Sequence, residues 1–213
     1  MTTTTPANLS STQTPPSTMT QNNLVNLSSW FLADPTTNSK GQKTCQLTSD
    51  HRPVIFHLGS HLKTRFGASS FDKSIDTARK NLDFDITLDT NLIELLKLID
   101  EWTIDYIYSN QSRLCKAIMS RESVAANYKP LTTTYGSSTS VRTKINIRGT
   151  RACVCWDANH LKTQLPEEGQ WLNNAYDVQV SLPQLYMMNN NFGWTMECIA
   201  LRVHPIEHTC PFK

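Results

Sequence analysis

Two periodicities divide this chain. Leu82, Phe84, Ile86 and Leu88 alternate with Asp83, Asp85, Thr87 and Asp89, the period of two that a half-buried strand requires. The period then lengthens. Leu92, Leu95, Leu96, Ile99, Trp102, Tyr106 and Ile107 recur at helical spacing, with Glu94, Lys97, Glu101 and Asp105 on the opposite face. Asn91 followed by Glu94 reads as a capping-box-like start, and a second helical segment is predicted from Ser120 to just before Pro130.

Strand patterns flank this helical block on both sides. Upstream, Trp30, Phe31 and Leu32 form a short apolar anchor, and 34–41 is a turn by composition. Lys43 to Thr48 and Pro53 to Leu58 are predicted as a hairpin closed by a tight turn at Ser49 to Arg52, with a third strand from His61 to Phe66. Downstream, 131–140 reads as a flexible loop. Strands follow at 141–147, 151–156, 176–182 and 192–203, the last ended by Pro205. Strands, then helices, then strands with antiparallel pairing predict a mainly β chain: an OB-fold-like Greek-key β-barrel with a helical insertion.

Composition sets the boundaries. Residues 1–23 are Thr, Ser, Pro, Gln and Asn without a charge, the first charged side chain being Asp34. Such a segment cannot bury enough apolar surface to order itself, so 1–23 is expected to be a disordered arm and 24–213 a single OB-like nucleic-acid-binding domain. The chain is 38% hydrophobic with five Trp, six Tyr and seven Phe, core enough to leave its six cysteines reduced. No signal peptide and no apolar run of membrane length is visible. The expectation is therefore an intracellular, soluble protein without a membrane partner, its sequons at Asn8, Asn26 and Asn110 unused.

Charge is segregated rather than abundant. The formal net charge is only +2, yet Asp83, Asp85, Asp89, Glu94, Asp100, Glu101 and Asp105 cluster mid-chain, whereas 141–156 holds four bases and no acid. On a strand, Val141, Thr143, Ile145 and Ile147 point one way and Arg142, Lys144 and Asn146 the other; Arg148 and Arg151 follow around Gly149. An apolar face inward and a basic face outward suits a groove that tracks an anionic backbone. A solvated strand face that happens to be basic has the same pattern. Lys63 and Arg65 alternate before Phe66, and Arg79 and Lys80 precede the acidic strand. The aromatics Trp156, Phe192 and Trp194 complete a candidate single-strand groove, in which cations hold phosphates and rings stack on unpaired bases. Phe66, Trp156 and Trp194 fit a core equally well.

Other chemistries are weaker. Cys153 and Cys155, with His204, His208 and Cys210, have spacing that a zinc site uses, but a Cys-x-Cys pair on a strand lacks a second close pair. Asp100, Glu101 and Asp105 on one helix offer carboxylates for a metal-dependent nuclease, or simply the wet face of an amphipathic helix. The Gly-rich phosphate loop, G-x-S-x-G and HExxH are absent from the sequence. A non-enzymatic role without a cofactor is expected. A structural virion or nucleoprotein-shell subunit, linked through its arm, is the alternative.

The order of segments resembles a family of single-stranded-DNA-binding proteins of nucleocytoplasmic large DNA viruses, related to the T7-type phage proteins. The matching pieces are PTTNSKGQKTCQL (35–47), FGASSF (66–71), LDFDITLD (82–89), LIDEWTIDY (98–106), SRESVAANYKP (120–130) and FGWTMECIALRVHP (192–205). The resemblance implies an OB-fold that coats single-stranded DNA during viral replication, recombination or repair, in the host nucleus or a cytoplasmic replication site. Viral replication proteins are implied as further partners, and self-association is left open. T7-type proteins carry an acidic C-terminal tail ending in an aromatic residue. This chain ends HTCPFK, with Phe212 present and Glu207 the only nearby acid, which puts a tail-mediated partner exchange in doubt.

Overall fold

The computed structural model describes residues 26–38, 41–70, 78–115, 117–188 and 191–206. The predicted arm and the C-terminal HTCPFK end, with His208, Cys210 and Phe212, lie outside the described residues. In chain order come β1 (Trp30–Leu32), β2 (Thr36–Thr37), β3 (Lys43–Ser49), β4 (Arg52–Pro53), β5 (Ile55–Ser69) and β6 (Arg79–Asp85). The helical block is α1 (Thr90–Ser109), α2 (Gln111–Leu114) and α3 (Arg121–Asn127). After it run β7 (Tyr128–Lys129), β8 (Thr132–Tyr135), β9 (Ser138–Asn146), β10 (Val154–Trp156), β11 (Lys162–Thr163), β12 (Asn174–Met188) and β13 (Asn191–Pro205).

Five of these strands close on themselves. The hydrogen-bonded path runs β12, β5, β6, β9, β13 and returns from β13 to β12. Counted along the chain as one to five, the barrel order is 1-2-3-5-4, with β9 and β13 parallel and every other barrel pair antiparallel. This is an OB-fold-like Greek-key barrel, with the helical block inserted between its second and third strands. Closure leaves these strands no bare edge.

The alternation seen in the sequence decides what faces inward. Leu82 and Phe84 of β6 and Val141, Thr143 and Ile145 of β9 are fully buried, with Tyr176, Val178 and Val180 of β12 opposite them. The tight turn at Ser49 to Arg52 forms as expected: Asp50 and His51 both take positive φ, 49° and 62°, and Ser49 pairs with Arg52, the geometry of a two-residue hairpin.

Three local expectations are corrected. Helix α1 is capped by Asp89, whose side chain accepts from Leu92 N–H at 2.9 Å, so Asn91 lies inside the first turn; Asp89 still has non-helical dihedrals and a carboxylate in reach of the orphan N–H groups. The strands predicted at 53–58 and 61–66 are one strand, β5. A bulge opposite Val178–Tyr176, with His61 at φ +55°, absorbs the break without interrupting pairing to β12. The loop predicted at 131–140 is a hairpin, Tyr135 pairing with Ser138 around Gly136 at φ +61°.

The helical block seats on the start of β13. Trp194 Nε1 donates to Thr103 Oγ1 at 2.9 Å, and Trp30 of β1 meets Trp102 edge-on with centroids 5.4 Å apart. Among the described residues no helix is long and apolar enough to cross a membrane.

Candidate nucleic-acid interface

Strands two and three of an OB barrel present the outer face on which oligonucleotides lie; here these are β6 and β9. Their register sets the residues of that face in rows: Asp83 opposite Arg142, Asn81 opposite Lys144, Arg79 opposite Asn146. Arg142 grips Asp83 with two bonds, Nε to Oδ1 at 2.7 Å and Nη2 to Oδ2 at 2.9 Å. The bonded carboxylate raises the Arg142 pKa further. Arg79 is bonded to Glu197 of β13. Lys144 stands across from Glu197 in register; burial, with the charges of Arg79 and Lys129, holds its pKa below the usual lysine value despite Glu197. The face is thus an ordered lattice of cations and carboxylates rather than a uniformly basic strip.

Beside this lattice β5 and β8 add two exposed rings. Phe66 pairs with Asp83, and Tyr135 ends β8. Phe66 is 59% exposed and Tyr135 53%. Between them lies Arg65, its guanidinium carbon 4.7 Å from the Tyr135 ring centre and 5.7 Å from that of Phe66. Arg65 Nη1 is covered and has no hydrogen-bond partner; the ring faces stand in for one, a cation–π arrangement. Two apolar planes set by a fixed cation, next to Arg142, form what an unpaired base and its phosphate need.

The residues predicted from sequence scatter relative to this site. Arg65, Arg142 and Lys144 belong to it. Lys63 is exposed on β5 and pairs with Ala175 of β12 rather than with β6. Arg148 and Arg151 are exposed in the turn after β9, and Trp156 is half-buried on β10, paired with Arg202 and Lys162. Phe192 and Trp194 are corrections: at 3% and 8% exposure both lie in the core, Phe192 paired with Tyr128 of β7 and Trp194 giving its indole N–H to Thr103 of α1. Neither offers a face to a base. Tyr135 was missed because its segment read as a loop. The signal that finds it is Gly136-Ser137 between two Thr-rich runs, a two-residue hairpin signature.

The competing chemistries also separate in space. Asp100 turns inward, accepting from Tyr128 O–H at 2.6 Å and Leu131 N–H at 3.2 Å. Glu101 and Asp105 stay outside, both bonded to Arg121 at 2.7 Å. The three carboxylates therefore do not converge on an ion. Cys153 and Cys155 are buried, burial pushing the Cys155 thiol up to about 12, and Cys153 Sγ lies 3.8 Å from Cys198 Sγ. Among the described residues His204 groups instead with His61 and Asp177.

The described chain is thus a closed OB-like barrel with an aromatic and charged outer face. No family model matches the sequence, and no curated protein matches it. Solved structures do show likeness. The crystal structure of gp2.5, a single-stranded DNA binding protein encoded by bacteriophage T7, is similar at TM-score 0.48 and 14% identity, over 75% of this chain and 91% of that one. The single-stranded DNA-binding protein from bacteriophage Enc34, in complex with ssDNA, is similar at TM-score 0.44 and 8% identity, over 85% of this chain and 98% of the other.

Proposed function

We propose that this chain binds single-stranded DNA across the outer face of β6 and β9 and protects it, without catalysing a reaction. One observation carries the reading: Arg65 held between the exposed rings of Phe66 and Tyr135, beside Arg142, on the barrel face that suits an oligonucleotide. Phe66 and Tyr135 stack on bases, and Arg65, Arg142 and Lys144 contact phosphates. Stacking tolerates any base, since every base has a π-face, so the protein coats strands rather than reading sequence. The resemblance of segments 35–47 through 192–205 to proteins of large DNA viruses supports a setting in viral DNA replication, recombination or repair, in the host nucleus or a cytoplasmic replication site. Viral replication proteins belong to the same proposal as further partners.

Fluorescence anisotropy of labelled oligo-dT titrated with the full chain tests it. Binding that weakens steeply with salt, without cleavage of the strand in magnesium, is the expected result. Equal affinity for blunt duplex DNA of the same length, or no saturable binding at low salt, overturns it.

A further inference from the structure

A second cluster lies on the barrel wall built by β5, β12 and β13, away from the β6–β9 face. We propose that His61, Asp177 and His204 form a binding site for a divalent transition metal of the zinc class. Two imidazoles and one carboxylate are a donor set that such ions take, with a water completing the shell.

The geometry is that of ligands sharing a centre. One ligand atom from each residue lies within 4.8 Å of the other two. His61 Nδ1 is 3.6 Å from Asp177 Oδ1, and His204 Nε2 is 3.0 Å from Asp177 Oδ2. Metal–ligand bonds of about 2.0–2.1 Å give a tetrahedron edges of about 3.3 Å. His204 Nε2 is sealed from solvent and, despite its distance from the carboxylate, makes no hydrogen bond: it points past the oxygen rather than at it. A nitrogen so placed is unsatisfied unless a third atom sits between the ligands.

The backbone is bent to make the cluster. His61 is the left-handed residue of the β5 bulge, at φ +55°, a conformation uncommon for any residue but glycine. The bulge turns its backbone N–H onto Asp177 Oδ1 at 3.0 Å and lays its ring on that of His204, centroids 4.3 Å apart and 23° from parallel. Arg202 Nη1 approaches Asp177 Oδ2 at 3.3 Å. It shares that oxygen with His204 Nε2 and helps fix the carboxylate, as outer partners of metal ligands do. Bound metal would pin the bulge of β5 to the β12–β13 hairpin.

The test uses the full chain, stripped with EDTA, kept reduced, and titrated with Zn²⁺ alone by calorimetry. One equivalent is expected, with a rise in melting temperature. His61→Asn, which tolerates the left-handed backbone, and His204→Gln should each weaken uptake roughly 100-fold while the metal-free fold and oligo-dT affinity stay as in the parent. Co²⁺ in place of zinc should give visible d–d absorption without a thiolate charge-transfer band. No saturable uptake by the parent chain, unchanged uptake in both variants, or a cobalt–thiolate band overturns the site. None of these outcomes bears on DNA binding, which the anisotropy titration reads separately.

Discussion

Asp83 and Arg142 face each other directly across the β6–β9 ladder and close a two-bonded ion pair on the open face of the barrel. The carboxylate side is 14% exposed and the guanidinium 57%. Asp83 therefore fixes the arginine from beneath, and the outward N–H groups remain for a phosphate.

That arrangement predicts opposite effects for the two partners. Asp83→Asn keeps an acceptor under Arg142 but removes a negative charge that repels the strand, so affinity for oligo-dT should rise by up to about tenfold at low salt and the gain should fade as salt screens it. Arg142→Ala should weaken binding on all sequences alike and shallow the salt slope by up to about one unit. Anisotropy titrations at several salt concentrations measure both. Weaker binding by Asp83→Asn would mean that the carboxylate serves the site only by holding the arginine.

The aromatics divide into two groups with different signatures. Phe66→Ala and Tyr135→Ala should each lose about 1–3 kcal/mol of binding free energy with little change in melting temperature. Trp194→Ala should lose about 3–5 kcal/mol of folding stability, since it empties a core position and leaves Thr103 without its indole partner. Thermal melts and titrations of the same samples separate them. Melting temperatures that fall together for all three would place Phe66 and Tyr135 in the core as well.

What was legible in the sequence follows from the range of the interactions involved. Alternation along β6 and β9 depends on which face is buried, so Val141, Thr143 and Ile145 inward and Arg142 and Lys144 outward could be read from spacing alone. Whether Trp194 is a stacking ring or core depends on α1, some ninety positions earlier in the chain, whose Thr103 Oγ1 accepts the indole N–H. Local pattern carries no trace of that contact. The same holds for Arg65 and Tyr135, which meet only because β8 folds back along β9, and for Asp83, whose acidic run looked separate from the basic strand with which it pairs.

Gly193 offers a check on the β12–β13 hairpin. It pairs with Tyr186, and a Cβ at this position would stand 2.5 Å from the Tyr186 hydroxyl and 2.7 Å from its ring. Gly193→Ala forces the tyrosine aside and should cost about 1–3 kcal/mol, read as a lower denaturation midpoint with an unchanged slope. A companion Tyr186→Ala in the same chain should recover part of that loss; an additive loss would show that the ring is not what the methyl group strikes.

The last prediction concerns Asp100 and acid. Burial raises its pKa from 3.8 to about 6, against hydrogen bonds from Tyr128 O–H and Leu131 N–H that favour the carboxylate. The folded state thus holds the proton more tightly than the unfolded chain does. Stability from this group is full below about pH 4 and is lost as pH rises through about 6, an amount on the order of 3 kcal/mol. Asp85 and Asp177, whose carboxyls are held below the usual range, act at lower pH and with the opposite sign. His57, lowered chiefly by burial, adds stability with rising pH inside the same window and masks part of the loss. The difference between parent and Asp100→Asn removes that overlap. The amide resembles the protonated acid, accepts from Tyr128 and Leu131, and does not titrate. Denaturant midpoints should therefore coincide near pH 4, with the variant growing the more stable of the two between pH 4 and 7 and the gap constant above. A gap that does not change with pH would show that Asp100 titrates alike in the folded and unfolded chain, its two hydrogen bonds balancing burial, and a gap of the opposite sign would show that they outweigh it.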